Sequence, residues 1–228
     1  GVIGGYSRSS FETSNGGSSG ESDNYHVGIH AGTRAGPFGL TVGAGYVWHR
    51  FDTSRAVDFA GFSDALSAKY DGGTAQVFGE ASYKLDAGRF TVEGFSNLTY
   101  VNLRTDAFTE TGGAAALSSE ATSSDVTFTT LGVRGSTDLA LGSASATIYG
   151  TLGWRHAFGD VAPTSSFAFD GSGGFDITGA PIARDAAVLG AGIDFDIASK
   201  TTLGISYTGQ LASGVSDHGI DAKLAVSF

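Results

Sequence analysis

The stretch HGIDAKLAVSF, residues 218–228, decides the fold class. Its side chains alternate strictly between two kinds. Apolar residues occupy Ile220, Ala222, Leu224, Val226 and Phe228, and small or polar residues occupy the positions between them. Because successive side chains of a β-strand point to opposite faces, this alternation predicts a strand with one apolar and one polar face.

The same period of two recurs along the whole chain. It predicts about ten strands, and no segment keeps a helical period for three turns. The strands lie near 1–12, 25–34, 40–49, 75–85, 89–104, 125–140, 143–158, 187–197, 203–211 and 218–228. Phe95 and Phe128 break the phase of their strands, which predicts either a β-bulge or an aromatic side chain on the polar face.

The connections between these strands alternate in length. Short turns lie at 34–38, 86–89, 140–143 and 198–200, and long polar loops lie near 13–23, 52–72, 105–124, 159–183 and 212–217. Short turns on the periplasmic rim and long loops on the other rim are typical of outer-membrane β-barrels. By this alternation the C-terminus is periplasmic. Within loop 159–183, which contains Phe167, Phe169 and Phe175, we favour a β-hairpin over an exposed apolar docking loop.

Large aromatic residues lie at both ends of the predicted strands. Trp48 and Trp154 fall at the long-loop ends, and Phe38, Tyr83 and Phe90 fall near the short-turn ends. Two aromatic girdles bordering a band of small aliphatic residues indicate a segment that crosses a bilayer. The predicted fold class is therefore all-β: a transmembrane antiparallel up-and-down β-barrel. A soluble β-sandwich is the alternative, but its buried face would carry larger residues.

Composition excludes several kinds of site. The chain has no cysteine, so it has neither a disulfide framework nor a thiolate metal site. Its net charge of −10 is the wrong sign for binding nucleic acid. No apolar run is long enough for a transmembrane helix.

Charged residues on the polar face are the first candidates for function. Alternation places Glu80, Glu93, Arg134, Arg155 and Lys223 inside the predicted barrel. A charge there is tolerated where it meets water or a counter-charge. These residues either line the pore for a threading segment or support the barrel as salt bridges. The structural role is favoured, and both roles are compatible in one residue.

No catalytic, cofactor or metal site is predicted. Asp217-His218 is a weak catalytic signal, because it lacks a second acidic pair or a nucleophile at a recognisable spacing. His26 and His30 share a strand face but lie about 13 Å apart, too far to share a metal. The chain has no GxSxG, HExxH or phosphate-loop motif.

Several stretches, taken in order, resemble the autotransporter β-domain. They are GWRHAFGD at 153–160, GAPIARDA at 179–186, and DHG at 217–219 leading to Phe228. The opening GGYSRS at 4–9 resembles the third strand of that domain. The resemblance covers the whole chain and is more specific than the final strand alone.

The predicted strands differ from the family pattern at their start. The family barrel has twelve strands preceded by a helix that threads the pore, whereas the strands found here begin at the third. We therefore expect one barrel domain, 1–228, that lacks its first two strands and pore helix. A natural ten-stranded barrel is the alternative.

Export is the function that the resemblance implies. Such a domain inserts in the lipid of the outer membrane with the barrel-assembly machinery and assists its own N-terminal passenger to the cell surface. Its terminal strand is the assembly signal, which here means Ile220, Leu224, Val226 and Phe228. No enzyme activity and no cofactor are expected. The alternatives are a complete ten-stranded adhesin or pore and an outer-membrane barrel protease.

Overall fold

The computed structural model describes residues 1–13, 17–141, 144–198 and 200–226. Phe228 of the predicted assembly signal lies outside these residues, as do parts of the predicted turns 140–143 and 198–200. In this part of the chain no helix is long and apolar enough to cross a membrane.

The described ranges contain fourteen strands, which are numbered in chain order. They are β1 (Val2–Glu12), β2 (Ser18–Ala35), β3 (Phe38–Phe59), β4 (Phe62–Ala87), β5 (Phe90–Thr105), β6 (Phe108–Thr109), β7 (Leu117–Ser119), β8 (Thr122–Leu141), β9 (Ala144–Gly159), β10 (Thr164–Phe169), β11 (Phe175–Thr178), β12 (Asp185–Ala198), β13 (Thr201–Ala212) and β14 (Val215–Val226).

Ten of these strands form one sheet, as the sequence predicts. Its order is β1-β2-β3-β4-β5-β8-β9-β12-β13-β14, every neighbouring pair is antiparallel, and the sheet curls into a half-barrel. The up-and-down topology is therefore confirmed. Over the described ranges, β1 pairs only with β2 and β14 only with β13, so the sheet has two free edges.

One face of the sheet exposes large apolar side chains. Ile29, Leu152 and Ile205 are 61%, 63% and 52% exposed, although each lies mid-strand. The buried apolar residues among those described are few and mostly small: Leu66, Ala68, Val126, Ala146, Ala157 and Ala186. A soluble domain needs a larger core than this, so the exposed face must be covered by another apolar phase.

The strands are longer than predicted at one rim. The region 52–72 is not a loop, because β3 and β4 continue as a paired hairpin to Phe59 and Phe62. The region 212–217 is likewise mostly strand, because only the two residues 213 and 214 separate β13 from β14. Gly61 and Gly214 have φ values of +87° and +78° in these tight turns, a conformation that side chains disfavour. The polar alternation in these regions belongs to solvated strands, so the loops predicted from the sequence are wrong here.

Two other predicted loops contain a second small sheet. Its order is β11-β10-β7-β6. The hairpin predicted within 159–183 is confirmed, since Phe167 of β10 pairs with Phe175 of β11. The segment 106–121 contains β6 and β7. It contacts the β3–β4 hairpin through the Ser67–Thr111 bridge.

The destabilisation caused by a charge on the apolar face should depend on the position of that charge along the strand. Val42→Arg, between Phe38 and Trp48 on the apolar face of β3, should lower the free energy of unfolding by about 2–4 kcal/mol in lipid vesicles. Ala56→Arg lies on the same face of the same strand but in the extended hairpin, so its effect should stay within about 0.5 kcal/mol. Urea unfolding followed by tryptophan fluorescence measures both, and equal effects would contradict an apolar phase around Val42.

Candidate functional site

A network of four charged side chains crosses the polar face near one rim. The Arg134 guanidinium contacts Glu80 at 2.5 Å and Glu93 at 3.2 Å. Arg34 contacts the other oxygen of Glu93 at 2.6 Å. The two carboxylates are 19% and 13% exposed, so removal of either arginine would leave a poorly solvated anion.

The network joins strands that do not pair with each other. Arg34 lies on β2 and Glu93 on β5, with β3 and β4 between them. Gly39 of β3 makes this crossing possible, because a Cβ there would lie 3.3 Å from the Arg34 guanidinium and 2.5 Å from Ser82 Oγ. The absent side chain leaves a path along which Arg34 spans the sheet.

Phe95 is an aromatic side chain on the polar face, and no bulge displaces it. The register on both sides of β5 is continuous through this residue. Its ring occupies the space above Gly132, where a Cβ would come within 2.6 Å of the ring carbons. The Arg134 guanidinium lies 4.1 Å from the ring centroid, a cation–π contact. Phe128 similarly lies under Arg155, at 5.6 Å.

Arg155 and Lys223 form separate contacts farther along the sheet. Arg155 donates to Gln210 Oε1 at 2.8 Å and to Thr130 Oγ1 at 3.4 Å. The Lys223 ammonium lies 3.0 Å from Asp194 Oδ2, across the glycine of the intervening strand, Gly204. Oδ1 of the same carboxylate is buried without a hydrogen-bond partner in the described structure.

The five predicted charges thus lie on one face but form three groups. Glu80, Glu93 and Arg134 belong to one network, while Arg155 and Lys223 each have partners of their own. The set of charges predicted from the sequence does not include the partners Arg34, Asp194 and Gln210. All three share the alternation phase of the polar face. That phase is the signal that could have found them.

The apolar face carries two rows of exposed aromatic side chains. Phe38 and Tyr83 are paired residues with rings 4.9 Å apart, and Phe90 lies at the same rim. Trp48 and Trp154 are exposed near the opposite rim, where Tyr25, Tyr46 and Tyr100 extend their row. Phe38 and Trp48 are ten residues apart on β3, about 33 Å along a strand. A usual barrel tilt reduces this to a height of about 25 Å.

The terminal strand presents its apolar residues outward. Ile220 and Leu224 are 82% and 65% exposed, and Val226 shares their face. They pair with Tyr207, Leu203 and Thr201 of β13. The other edge of β14 is free in the described structure.

The extended β3–β4 hairpin holds the smaller sheet on its polar side. Arg55 forms a bidentate contact with Glu110 and donates to the Ala115 carbonyl at 2.9 Å. Tyr70 stacks between Phe51 and Phe108, and burial raises the pKa of its phenol. No sequence signal suggested the Arg55–Glu110 pair, since both residues fell in regions predicted as loops.

The histidines form isolated contacts. His218 Nδ1 lies 2.7 Å from the Tyr207 hydroxyl, while its neighbour Asp217 pairs with Gln210 on the other face. His49 lies between Asn24 and Thr74, and His26 contacts Ser7. Within the described ranges, no three histidine or acidic residues are grouped to hold a metal ion.

The comparisons with known proteins decide the family. The profile of the family described as "Autotransporter beta-domain" matches residues 1–208. The chain is an autotransporter β-domain. It therefore belongs to an outer-membrane translocator, as the resemblance had implied.

Two curated relatives come from Serratia marcescens, and both are named "Extracellular serine protease". One is 37% identical over 231 residues, which is all of this chain and 22% of that protein. The other is 36% identical over 91% of this chain and 20% of that protein. The β-domain chain thus spans about a fifth of the length of these relatives.

Solved structures of low sequence identity share the fold. The translocator domain of NalP from Neisseria meningitidis is 16% identical, with a TM-score of 0.80 over 100% of this chain and 74% of that one. The β-domain of BrkA from Bordetella is 19% identical, with a TM-score of 0.59 over 95% of this chain and 78% of that one.

Loss of Arg134 should destabilise the domain through the carboxylates it leaves behind. Arg134→Met should lower the free energy of unfolding by about 1–3 kcal/mol. Arg8→Met removes the exposed pair with Glu21 and should cost less than about 1 kcal/mol. Adding Glu80→Gln to Arg134→Met should recover part of the loss. Urea unfolding in vesicles measures all three, and a wild-type midpoint for Arg134→Met would contradict a supporting role.

Proposed function

We propose that this β-domain forms most of the wall of a pore through which the protein exports its own passenger. The observation that carries the proposal is the opposition of the two faces. One face exposes aliphatic side chains between two aromatic rows, and the other carries ion pairs, hydroxyl groups and glycines. An apolar outside and a polar inside is the arrangement of a barrel in lipid.

In this proposal the aromatic rows are girdles at the two membrane surfaces. The height of about 25 Å between Phe38 and Trp48 matches the apolar band of outer-membrane barrels. The rim with the β3–β4 hairpin and the small sheet faces the exterior. The opposite rim, with the tight turns at Gly36 and Gly88, faces the periplasm, and so does the C-terminus.

The inward charges have two tasks in the proposed pore. Glu80, Glu93 and Arg134, with Arg34, hold four strands together, which keeps the wall in shape. With Arg155 and Lys223 they also keep the lumen hydrated, so that an exported segment slides past polar rather than apolar surface. Ion pairs that are already satisfied bind such a segment weakly, which favours its release.

In this proposal the barrel closes with more strands than the ten in this sheet. Unpaired backbone N–H and C=O groups cost several kcal/mol each in hydrocarbon, so the free edges of β1 and β14 need partners. Two preceding strands would supply them, and the greater length of the NalP domain agrees with this. A closed ten-stranded adhesin or pore would instead need β1 to pair with β14.

The passenger is proposed to be of the extracellular serine protease kind. The support is the name and the length of the two relatives, each about five times longer than the matched region. The β-domain itself is proposed to be non-catalytic and without a cofactor. A barrel protease is disfavoured because Asp217 and His218 point to different faces and His218 is engaged by Tyr207.

Cross-linking in cells tests which face meets the passenger. A photo-reactive amino acid at Gln76, on the polar face of β4, should capture the passenger while export of the full-length protein proceeds. The same amino acid at the adjacent Val77, on the apolar face, should not. Immunoblots for the passenger measure both adducts. Equal capture at the two positions, or none at Gln76, would refute the lumenal assignment.

The terminal strand is proposed to be the signal read by the barrel-assembly machinery. Leu224→Asp places a charge on the outward face of β14 and should reduce the assembled fraction several-fold, because a carboxylate in the apolar band is destabilising, although it costs less than the about 2–4 kcal/mol of Arg or Lys there. Lys223→Gln alters the neighbouring inward residue and should leave assembly within about twofold. The heat-dependent gel shift of the folded barrel measures both, and unchanged assembly of Leu224→Asp would contradict the proposal.

A further inference from the structure

Arg155 differs from the other basic side chains on the polar face of the main sheet. On the described strands, the basic residues whose side chains point to this face are Arg34, Arg55, Lys84, Arg134, Arg155 and Lys223. All of them except Arg155 contact a carboxylate oxygen, at 2.5–3.1 Å. No carboxylate of the described residues lies within 4 Å of Arg155, so its charge is not neutralised by an ion pair.

The contacts of Arg155 are all with uncharged groups. Nε donates to Thr130 Oγ1 at 3.4 Å, and Nη1 donates to Gln210 Oε1 at 2.8 Å. The guanidinium carbon lies 5.6 Å from the centroid of the Phe128 ring. In the described structure Nη2 has no acceptor, and it is not a buried atom, so it is accessible from the polar side. An arginine has five N–H donors, and most of those of Arg155 are therefore available to a ligand.

The surroundings of Arg155 on this face also lack acidic residues. Its partners in the register are Thr130 on β8 and Ala186 on β12. Asp185 points to the opposite face, where its Oδ1 lies 2.8 Å and 3.0 Å from ring nitrogens of two outward neighbours. Asp217 shares the polar face but lies on β14, with β12 and β13 between it and β9. The uncompensated charge of Arg155 is therefore local and does not depend on the charge of the whole chain.

A carboxylate is the ligand that this arrangement fits. The Arg155 side chain is half-buried, so water solvates its charge less well than that of an exposed arginine. The guanidinium is a planar fork whose paired N–H groups match the two oxygens of a carboxylate. A carboxylate that reaches Nη2 from the polar side would neutralise the charge and would not displace the Thr130 or Gln210 contact.

We propose that Arg155 is a binding site for the acidic side chains of the polypeptide segment that passes through the lumen. The inference rests on the proposed function, which makes the polar face the wall of the export path. It adds one specific contact to that path. Arg155 follows Trp154 of the exterior aromatic row on the same strand, so an exported segment meets this contact close to the exterior mouth.

Gln210 keeps this site open. Its amide oxygen orients the guanidinium at 2.8 Å but carries no charge. A glutamate in the same place has nearly the same shape and would form the ion pair that the other inward cations already have. The neutral amide therefore positions Arg155 and leaves its charge for a ligand.

Photo-cross-linking of the full-length protein during export tests the site. Two versions of the protein differ only in a test segment within the passenger, which carries five glutamates in one version and five glutamines in the other. The photo-reactive amino acid replaces Val188, which points to the polar face two residues from the partner of Arg155. Immunoblots at intervals after synchronised synthesis measure the captured test segment. The glutamate segment should be captured about fivefold more, the factor given by one well-formed ion pair.

Three variants that each lower the charge of the polar face by one unit separate a site from a general field. Arg155→Gln removes the cation, and Gln210→Glu supplies it with an internal partner, so both should abolish the preference for glutamate. Lys223→Gln removes a cation that is already paired with Asp194, so the preference should remain. The heat-dependent gel shift gives the assembled fraction to which each capture is normalised. Gln210→Glu keeps the test decisive if Arg155→Gln assembles poorly, because it preserves the contact and the shape.

Equal capture of the two segments by the wild-type wall would overturn the proposal. So would a preference for glutamate that persists in Gln210→Glu or in Arg155→Gln. Loss of the preference in Lys223→Gln would also overturn it, because the attraction would then come from the field of the lumen. Capture at Gln76 without a preference at Val188 rejects the Arg155 site alone. No capture at either position rejects the proposed function, and this inference with it.

Discussion

The backbone's need for hydrogen-bond partners in an apolar surrounding governs this structure. Hydrocarbon supplies neither donors nor acceptors, so each strand must be paired on both sides. The ten-stranded sheet meets this need everywhere except at the outer edges of β1 and β14, which are unpaired in the described structure. The constraint explains why a chain with so few buried apolar residues forms long, regular strands. It also makes the two edges the parts of the fold that most readily pair with another strand. Strand addition there would close the barrel.

Glycine on the polar face has a second role beside the turns. Gly39, Gly132 and Gly204 lie beneath Arg34, Phe95 and the Asp194–Lys223 pair. Gly39 and Gly204 each leave an intervening strand without a side chain, so that a long neighbour can cross it, and Gly132 leaves room for the Phe95 ring. The polar face is thus held together by contacts that skip strands, in addition to the ladder of backbone bonds. A wall braced in this way keeps its curvature while its centre remains hydrated, which suits a channel for an extended polypeptide.

The rim that carries the small sheet is a folded structure in its own right. The β3–β4 hairpin continues beyond the aromatic row, and the small sheet of β6, β7, β10 and β11 rests on its polar side through Arg55, Glu110 and the Tyr70–Phe108 stack. Outside an apolar surrounding water satisfies backbone groups, so side-chain packing and ion pairs add to the backbone pairing of the strands at this rim. This rim therefore presents an aromatic platform on the polar side of the sheet.

The sequence by itself determined the fold class, the ten strands of the main sheet and the face of each predicted charge, because a period of two is a local property of extended backbone. The ordered motifs, from GGYSRS at 4–9 onward, also indicated the family, which the family profile confirmed. Only the tertiary structure decided that 52–72 continues as strands, since solvated strands and loops share the same polar residues. It alone decided which charges meet, because Arg34 reaches Glu93 only when the sheet curls and Gly39 leaves the path open. Register and curvature join residues far apart in sequence, and no local pattern encodes them.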